Sequence, residues 1–338
     1  MIKLGNIAKE ILKEGGKLFG SRAVRVSTSE MNAVFNELRN KLGQFFSKMQ
    51  LSKSLKSKED HGDIDIVVEP NTKTPIESGI KGILGSSIKD YSRNGNIYSI
   101  LYHSYAIDKD VHVDFLAASG EDYDAQFEYL SHGDFSGLLG VLARRLGYSY
   151  STEGFFKVYI DKSGRHHKIL ITKNLMDGLK IMGYGDVLST YNDISNPDDI
   201  VKFLISSPFF DSDDYKGQTM NHSDRKRVRS GRPTADYARE ALISANKHRQ
   251  NDDFEYYLKK LFPDKYTKLK TDENAIENTA LPPKGKYGGE WLLSKFPELK
   301  AGPIIGKVKK YWVDTYGQEL DNVPEEELYS KTKEFLKI

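Results

Sequence analysis

Apolar residues recur along this chain with two different periods, and the change between them outlines its organisation. In residues 1–50, Ile7, Ile11 and Leu12, then Met31, Val34, Phe35, Leu38, Leu42, Phe45 and Phe46 follow helical spacing. Thr28-Ser29-Glu30 sits where a helix start belongs. From 51 to 118 the pattern alternates, as strands and turns do. Residues 96–103 and 111–117 predict a hairpin joined over Asp108-Lys109-Asp110. Residues 121–215 begin with a helix through Phe135, Leu138, Leu139, Val141 and Leu142. A second hairpin follows, FFKVYIDKSGRHHKILIT, turning at Ser163-Gly164. From 220 onward the chain is polar and basic, then helical. The stretch 264–290, with Pro282-Pro283, Gly285, Gly288 and Gly289, predicts a long loop. The expected organisation is an N-terminal helical segment (1–50), a strand-rich unit (51–120), an α/β region (121–215), and a basic linker with a C-terminal helical domain (216–338).

One strand breaks the apolar rule. HGDIDIVVEP, residues 61–70, carries Asp63 and Asp65 among Ile64, Ile66, Val67 and Val68. Two residues apart on a strand, they share a face. Paired carboxylates there repel each other and cost desolvation energy. A third, Asp114, lies in VHVDFLAAS, residues 111–119, on the face opposite Val111, Val113 and Phe115. Three converging carboxylates form a hard oxygen site of the kind Mg²⁺ takes, completed by water and substrate phosphate. Two such ions serve phosphoryl transfer. Just upstream, LSKSLKSKEDHG places Ser52, Ser54, Lys53, Lys56 and Lys58 before the acidic strand. A polar turn leading into a helix would offer N–H groups, hydroxyls and ammonium groups to a triphosphate.

Composition narrows the class. With 50 Lys+Arg against 48 Asp+Glu, the net charge is +2, so any basic surface is local. HSDRKRVRSGRP, residues 222–233, is the one dense run, either a solvated loop or a phosphate-binding patch. There is no Cys, which excludes disulfides, thiolate zinc sites and a thiol nucleophile. No apolar run approaches the ~18 residues of a membrane span. A cytoplasmic protein without membrane attachment is the expectation.

Ser54, the Gly-Asp-Ile-Asp-Ile strand and the later Val-His-Val-Asp-Phe together resemble the DNA polymerase β-type nucleotidyltransferases, closest to family X DNA polymerases. FEYLSHGDFSGLLGVLARRLGYSYSTEG, residues 127–154, is similar to the passage from palm to thumb in that family. The resemblance covers residues 50–160 and extends to about 205. It implies an α+β fold, a palm with a mixed sheet, flanked by N-terminal helices and a mostly helical C-terminal region. It assigns Asp63 and Asp65 to both of two Mg²⁺ (or Mn²⁺) ions and Asp114 to the ion that activates the acceptor hydroxyl. Ser54 would touch the terminal phosphates of an NTP or dNTP, and Tyr129 and Gly133 would sit near sugar and base. The sequence departs from the pattern in two places. Lys53 stands where the family has Gly, and Tyr129-Leu130-Ser131-His132-Gly133 replaces its aromatic-aromatic-Thr-Gly-Ser turn. The C-terminal FPELKAGPIIGKVKKYWVDTYGQEL, residues 296–320, resembles the helical tail of tRNA CCA-adding enzymes and poly(A) polymerases. Pro303 there fits a helix first turn, and Gly302 and Gly306 would allow close approach.

Three functions follow. The first is transfer of a nucleoside monophosphate to the 3′ end of DNA or RNA, with pyrophosphate release. The second is nucleotidylation of a protein or small molecule. The third is a binding protein on an inactive nucleotidyltransferase fold. His61 reads as a capping histidine, and His166 and His167 as surface histidines beside the Ser163-Gly164 turn.

Overall fold

Ser27 begins the first helix by a reciprocal cap. Its hydroxyl accepts the Glu30 N–H and the Glu30 carboxylate accepts the Ser27 N–H, satisfying two free donors of α1, Thr28–Leu42. Met31, Val34, Leu38 and Leu42 form its buried stripe. The predicted helix does not continue through Phe45 and Phe46. Gly43 caps α1, and Phe46 opens strand β2, Phe46–Leu51. The sheet thus starts before residue 51, and α1 covers it. The computed structural model describes residues 18–71, 75–217, 225, 233–279, 287–297, 299 and 303–337. The apolar positions at Ile7, Ile11 and Leu12, Pro282-Pro283, Gly302 and most of the basic run 222–233 lie outside them.

Chain order in the first part is β1 (Val26–Ser27), α1, β2, β3 (Asp60–His61), β4 (Ile64–Pro70), α2 (Ile76–Leu84), β5 (Ile88–Asn94), β6 (Ile97–Ser104) and β7 (Lys109–Ala117). Five strands form one mixed sheet in the order β2-β4-β7-β6-β5. Only β4 and β7 pair in parallel; the other pairs are antiparallel. The β6–β7 bend falls at residues 105–108, earlier than expected, and Asp108 takes the left-handed conformation there (φ 53°). Lys109 and Asp110 already belong to β7.

One face of the sheet is apolar. Ile64, Ile66 and Val68 from β4 and Val111, Val113 and Phe115 from β7 join the buried residues of α1 and α2 in one core. Gly79 is needed there, because a Cβ at that position would lie 2.1 Å from the Phe45 ring. The opposite face carries the even positions of β7, His112, Asp114 and Leu116.

The chain continues as α3 (Glu121–Leu130), α4 (Phe135–Arg145), β8 (Tyr148–Ser151), β9 (Gly154–Ile160), β10 (His166–Thr172), α5 (Leu175–Ile181), α6 (Pro197–Ile205), α7 (Pro233–Ser244) and α8 (Tyr256–Leu261). The predicted hairpin is β9–β10, with Gly164 at φ 77° in its turn. Where a long loop was expected, residues 263–279 form α9, Pro263–Thr279. That stretch holds no Gly, and its one Pro sits at the first turn, where the missing N–H costs nothing. The chain divides into two compact units, residues up to 157 with 170–266, and residues 158–169 with 267 onward. In the second, α10 (Gly289–Lys295), α11 (Pro303–Tyr316) and α12 (Glu325–Leu336) enclose Leu292, Phe296, Val308, Trp312 and Leu328. Trp312 Nε1 donates to Thr332 Oγ1 at 2.8 Å. Gly306 serves no close approach, since a Cβ there would meet nothing within 4 Å.

Glu37 ties α1 to the β6–β7 bend. It accepts hydrogen bonds from Lys41, Tyr102, Ser104 and the backbone N–H of Ala106. Burial opposes its charge, but these donors win and hold its carboxyl down at about 2. A depressed carboxyl contributes stability above the unfolded value, lost as pH falls from about 4.5 toward 2. Glu37→Gln should therefore lower Tm at pH 7 by about 5 °C, and by clearly less at pH 3, in thermal unfolding followed by circular dichroism.

Candidate active site

The parallel pairing of β4 with β7 decides where the aspartates meet. Asp65 stands directly opposite Asp114 in the register. On the other side of β4, the Ser52 N–H donates to the Asp65 carbonyl at 2.9 Å, one step beyond the last β2–β4 pair. Ser52, Asp65 and Asp114 thus lie in a row across three adjacent strands, about 4.8 Å apart per strand. Asp63 is not on the strand. It occupies the bend between β3 and β4, yet its charge still acts on Asp65.

Asp65 is the most perturbed of the three. Burial, then the charges of Asp63 and Asp114, push its carboxyl up to about 7. Among the described residues its side chain has no ion pair and no hydrogen bond. Asp114 is held by His112, whose Nε2 lies 2.8 Å from Asp114 Oδ1. His112 is buried, with Phe19 edge-on to its ring at 5.0 Å. Burial lowers the basicity of this imidazole, but the Asp114 hydrogen bond and the neighbouring carboxylates raise it more. Strand alternation puts His112 on the Asp114 face, but its orienting role depends on a side-chain contact that alternation does not show.

The segment after β2 corrects one expectation. No helix follows Ser54; residues 52–59 are irregular, with a turn at 56–57. The loop is instead pinned at three points. The Lys53 carbonyl accepts the His132 N–H at 2.7 Å, the Ser57 N–H donates to Ser195 O, and Thr28 Oγ1 donates to Lys58 O. The loop carrying Ser52, Lys53 and Ser54 is therefore bound both to Asp65 and to the turn after α3. Gly133 is in that turn, exposed, with Leu55 packed beside it. His132 and Gly133 are both left-handed (φ 61° and 62°), and His132 Nδ1 sits 3.2 Å from Ile194 O. Tyr129 is partly exposed and meets the Tyr150 ring at 5.1 Å.

The lysines separate. Lys53 Nζ is 3.9 Å from Glu128 and lies over the Phe127 ring. Lys56 is exposed on the turn. Lys58 is the one whose charge lowers the Asp65 pKa. His61 is structural: it is buried in β3 against Thr28 Oγ1 at 3.0 Å, and burial with the Lys58 charge lowers its pKa to about 4. His167, in β10, pairs with Asp161 at 2.7 Å beside the β9–β10 turn.

Two groups of acidic side chains offer ligands to a metal ion. Among the described residues, Asp211, Asp213 and His248 have ligating atoms all within 4.8 Å of one another. Arg249 already supplies charge there, 3.4 Å from Asp211, and it also pairs with Asp214. Asp63, Asp65 and Asp114 stand wider than that spacing. Two ions ~3.5–4 Å apart need a wider ligand span than one. A crowded carboxylate with no protein cation paired to it fits a divalent cation. No protein-family model matches the chain, and no curated protein matches it significantly.

A carboxyl raised above its unfolded value costs stability that accrues as pH rises from about 3.8 to about 7. In EDTA, Asp65→Asn should therefore have a higher Tm than wild type at pH 8, with the gap closing toward pH 4. Millimolar Mg²⁺ should narrow the gap at pH 8 by raising wild type alone. Equal Mg²⁺ effects on both proteins would contradict a cation at Asp65.

Proposed function

We propose that this protein is a divalent-cation-dependent nucleotidyltransferase, moving a nucleoside monophosphate from an NTP or dNTP to an acceptor hydroxyl. The observation that carries this reading is the register of Asp65 opposite Asp114 on parallel strands, with the Ser52–Ser54 loop bound to the same strand. Asp63 and Asp65 would hold both Mg²⁺ ions, and Asp114 the one on the acceptor side. Bound there, the ions would supply Lewis-acid charge at the attacking and leaving oxygens. The protein's own groups position the reactants. Ser54 and Lys58 face the triphosphate from the loop, and Tyr129 and Gly133 face the sugar and base. His112 keeps Asp114 oriented. The acceptor oxygen forms a bond to the α-phosphorus, the bond to the bridging α–β oxygen breaks, and pyrophosphate leaves with that electron pair. The hydroxyl proton passes to water.

For the acceptor, the family resemblance supports a 3′ hydroxyl of DNA or RNA. The cleft described below supports a second reading, a small molecule. An inactive binding protein is the poorer reading, because a site relieved of chemistry has no use for three crowded carboxylates.

The test combines Mg²⁺-dependent binding of each NTP and dNTP with transfer of α-labelled nucleotide to oligonucleotides and small polyols. Asp63→Ala, Asp65→Asn and Asp114→Ala should each lower transfer by ~10³-fold or more with far-UV spectra unchanged. Full activity in an Asp63→Ala/Asp65→Asn double variant would sink the proposal.

A further inference from the structure

A cleft of about 650 Å³ opens at the end of β7, between α3 and the β8–β9 turn. Asn96, Ala118, Asp122, Gln126, Glu153 and Lys173 line it. It lies on the Asp114 side of the sheet. The Ala118 N–H donates to Val68 O at 3.0 Å and so extends the β4–β7 ladder past the strand end. Position 118 then shares a face with 112, 114 and 116. At ~3.3 Å per residue, Ala118 is ~13 Å from Asp114 along the strand. A molecule of about three sugar rings held in the cleft would span that distance.

The lining sets the chemistry. Asp122 is already neutralised by Lys173 at 2.6 Å. Glu153, exposed in the β8–β9 turn, has no ion pair among the described residues. Gln126 is 3% exposed, and its Oε1 accepts from Asn96 at 3.1 Å. Its Nε2 has no protein partner among the described residues. One unpaired carboxylate, one amide donor and one matched ion pair make the cleft net negative. A chain of phosphates needs cations to neutralise it and would be repelled. Hydroxyl and ammonium groups would find acceptors and a donor.

Resting on the nucleotidyl-transfer reading, we infer that this cleft is the acceptor subsite and that it takes a neutral or cationic polyhydroxyl molecule, not a polynucleotide.

The experiment uses the full chain with Mg²⁺ and each α-labelled NTP. The probes are a glucosamine trisaccharide and a single-stranded oligonucleotide, and nucleotide binding is measured separately. Label should move to the trisaccharide. Ala118→Phe, which narrows the cleft, and the surface change Glu153→Lys should each raise its KM by about tenfold, with kcat and nucleotide Kd little changed. Transfer to the oligonucleotide alone, or a trisaccharide KM indifferent to both variants, would overturn the inference. So would transfer to neither probe while nucleotide binding persists and depends on Asp65; that outcome leaves the nucleotidyl-transfer reading standing. Absence of Mg²⁺-dependent nucleotide binding would overturn both.

Discussion

The parallel contact between β4 and β7 is the constraint on which the rest of the structure depends. Parallel neighbours cannot be joined by a tight turn; they need a crossover. Here the crossover is α2 followed by the β5–β6 hairpin, which returns the chain so that β7 enters beside β4 in the same direction. The apolar odd positions of β7 and even positions of β4 then meet α1 and α2 in the core. The remaining positions face the other way, and Asp65 and Asp114 fall side by side. A slip of one residue would turn one of the two into the core. The apolar packing on one face thus enforces the carboxylate crowding on the other.

That crowding is held against its own repulsion. Burial weighs most on Asp65, and the charges of Asp63 and Asp114 add to it. Among the described residues no arginine lies at hydrogen-bond distance of Asp65 to relieve it, as Arg249 does for Asp214. His112 braces Asp114 through one oxygen and leaves the site negative. The contrast between the two acidic clusters matters more than the spacing of either. Asp211 and Asp214 are paired with Arg249, whereas among the described residues Asp65 has no ion pair and only the charges of Lys58 and His112 oppose the crowding. Asp65 thus carries its charge without an ion pair of its own among the described residues, beside a pinned polar loop, and the proposed cation and triphosphate would be placed there.

Much of this was legible in the chain. The Asp-x-Asp strand, Asp114 on a second strand and the alternation of its neighbours follow from a period of two, which a sequence displays directly. The helix start read at Thr28-Ser29-Glu30, one residue past the actual cap Ser27, and the Ser163-Gly164 turn carry side-chain signals at fixed offsets. What was not legible depends on tertiary partners. Phe45 and Phe46 continue the helical period of α1, yet Gly43 ends the helix and Phe46 is spent on the sheet. The Ser52–Lys58 loop carries the composition of a helix start. It is instead drawn out by bonds to Asp65, His132 and Ser195, all distant in sequence. Residues 263–279 lack a strong amphipathic stripe, so their helix was hidden behind the Pro and Gly residues that follow.

The His132-Gly133 turn shows how such a distant bond builds a site. A left-handed histidine is an uncommon conformation for a residue with a Cβ. It persists because the His132 N–H is held by the Lys53 carbonyl, while the ring packs edge-on to Tyr191 and Phe135 and its Nδ1 faces the Ile194 carbonyl. The same bond fixes the Ser52–Ser54 loop at a set distance from the turn. The loop touches the Asp65 strand at one end and this turn at the other. The two elements expected to meet opposite ends of a nucleotide are therefore joined to each other before any ligand arrives. Such preorganisation reduces the ordering cost of binding, and it accounts for a strained turn that the packing of the sheet alone does not require.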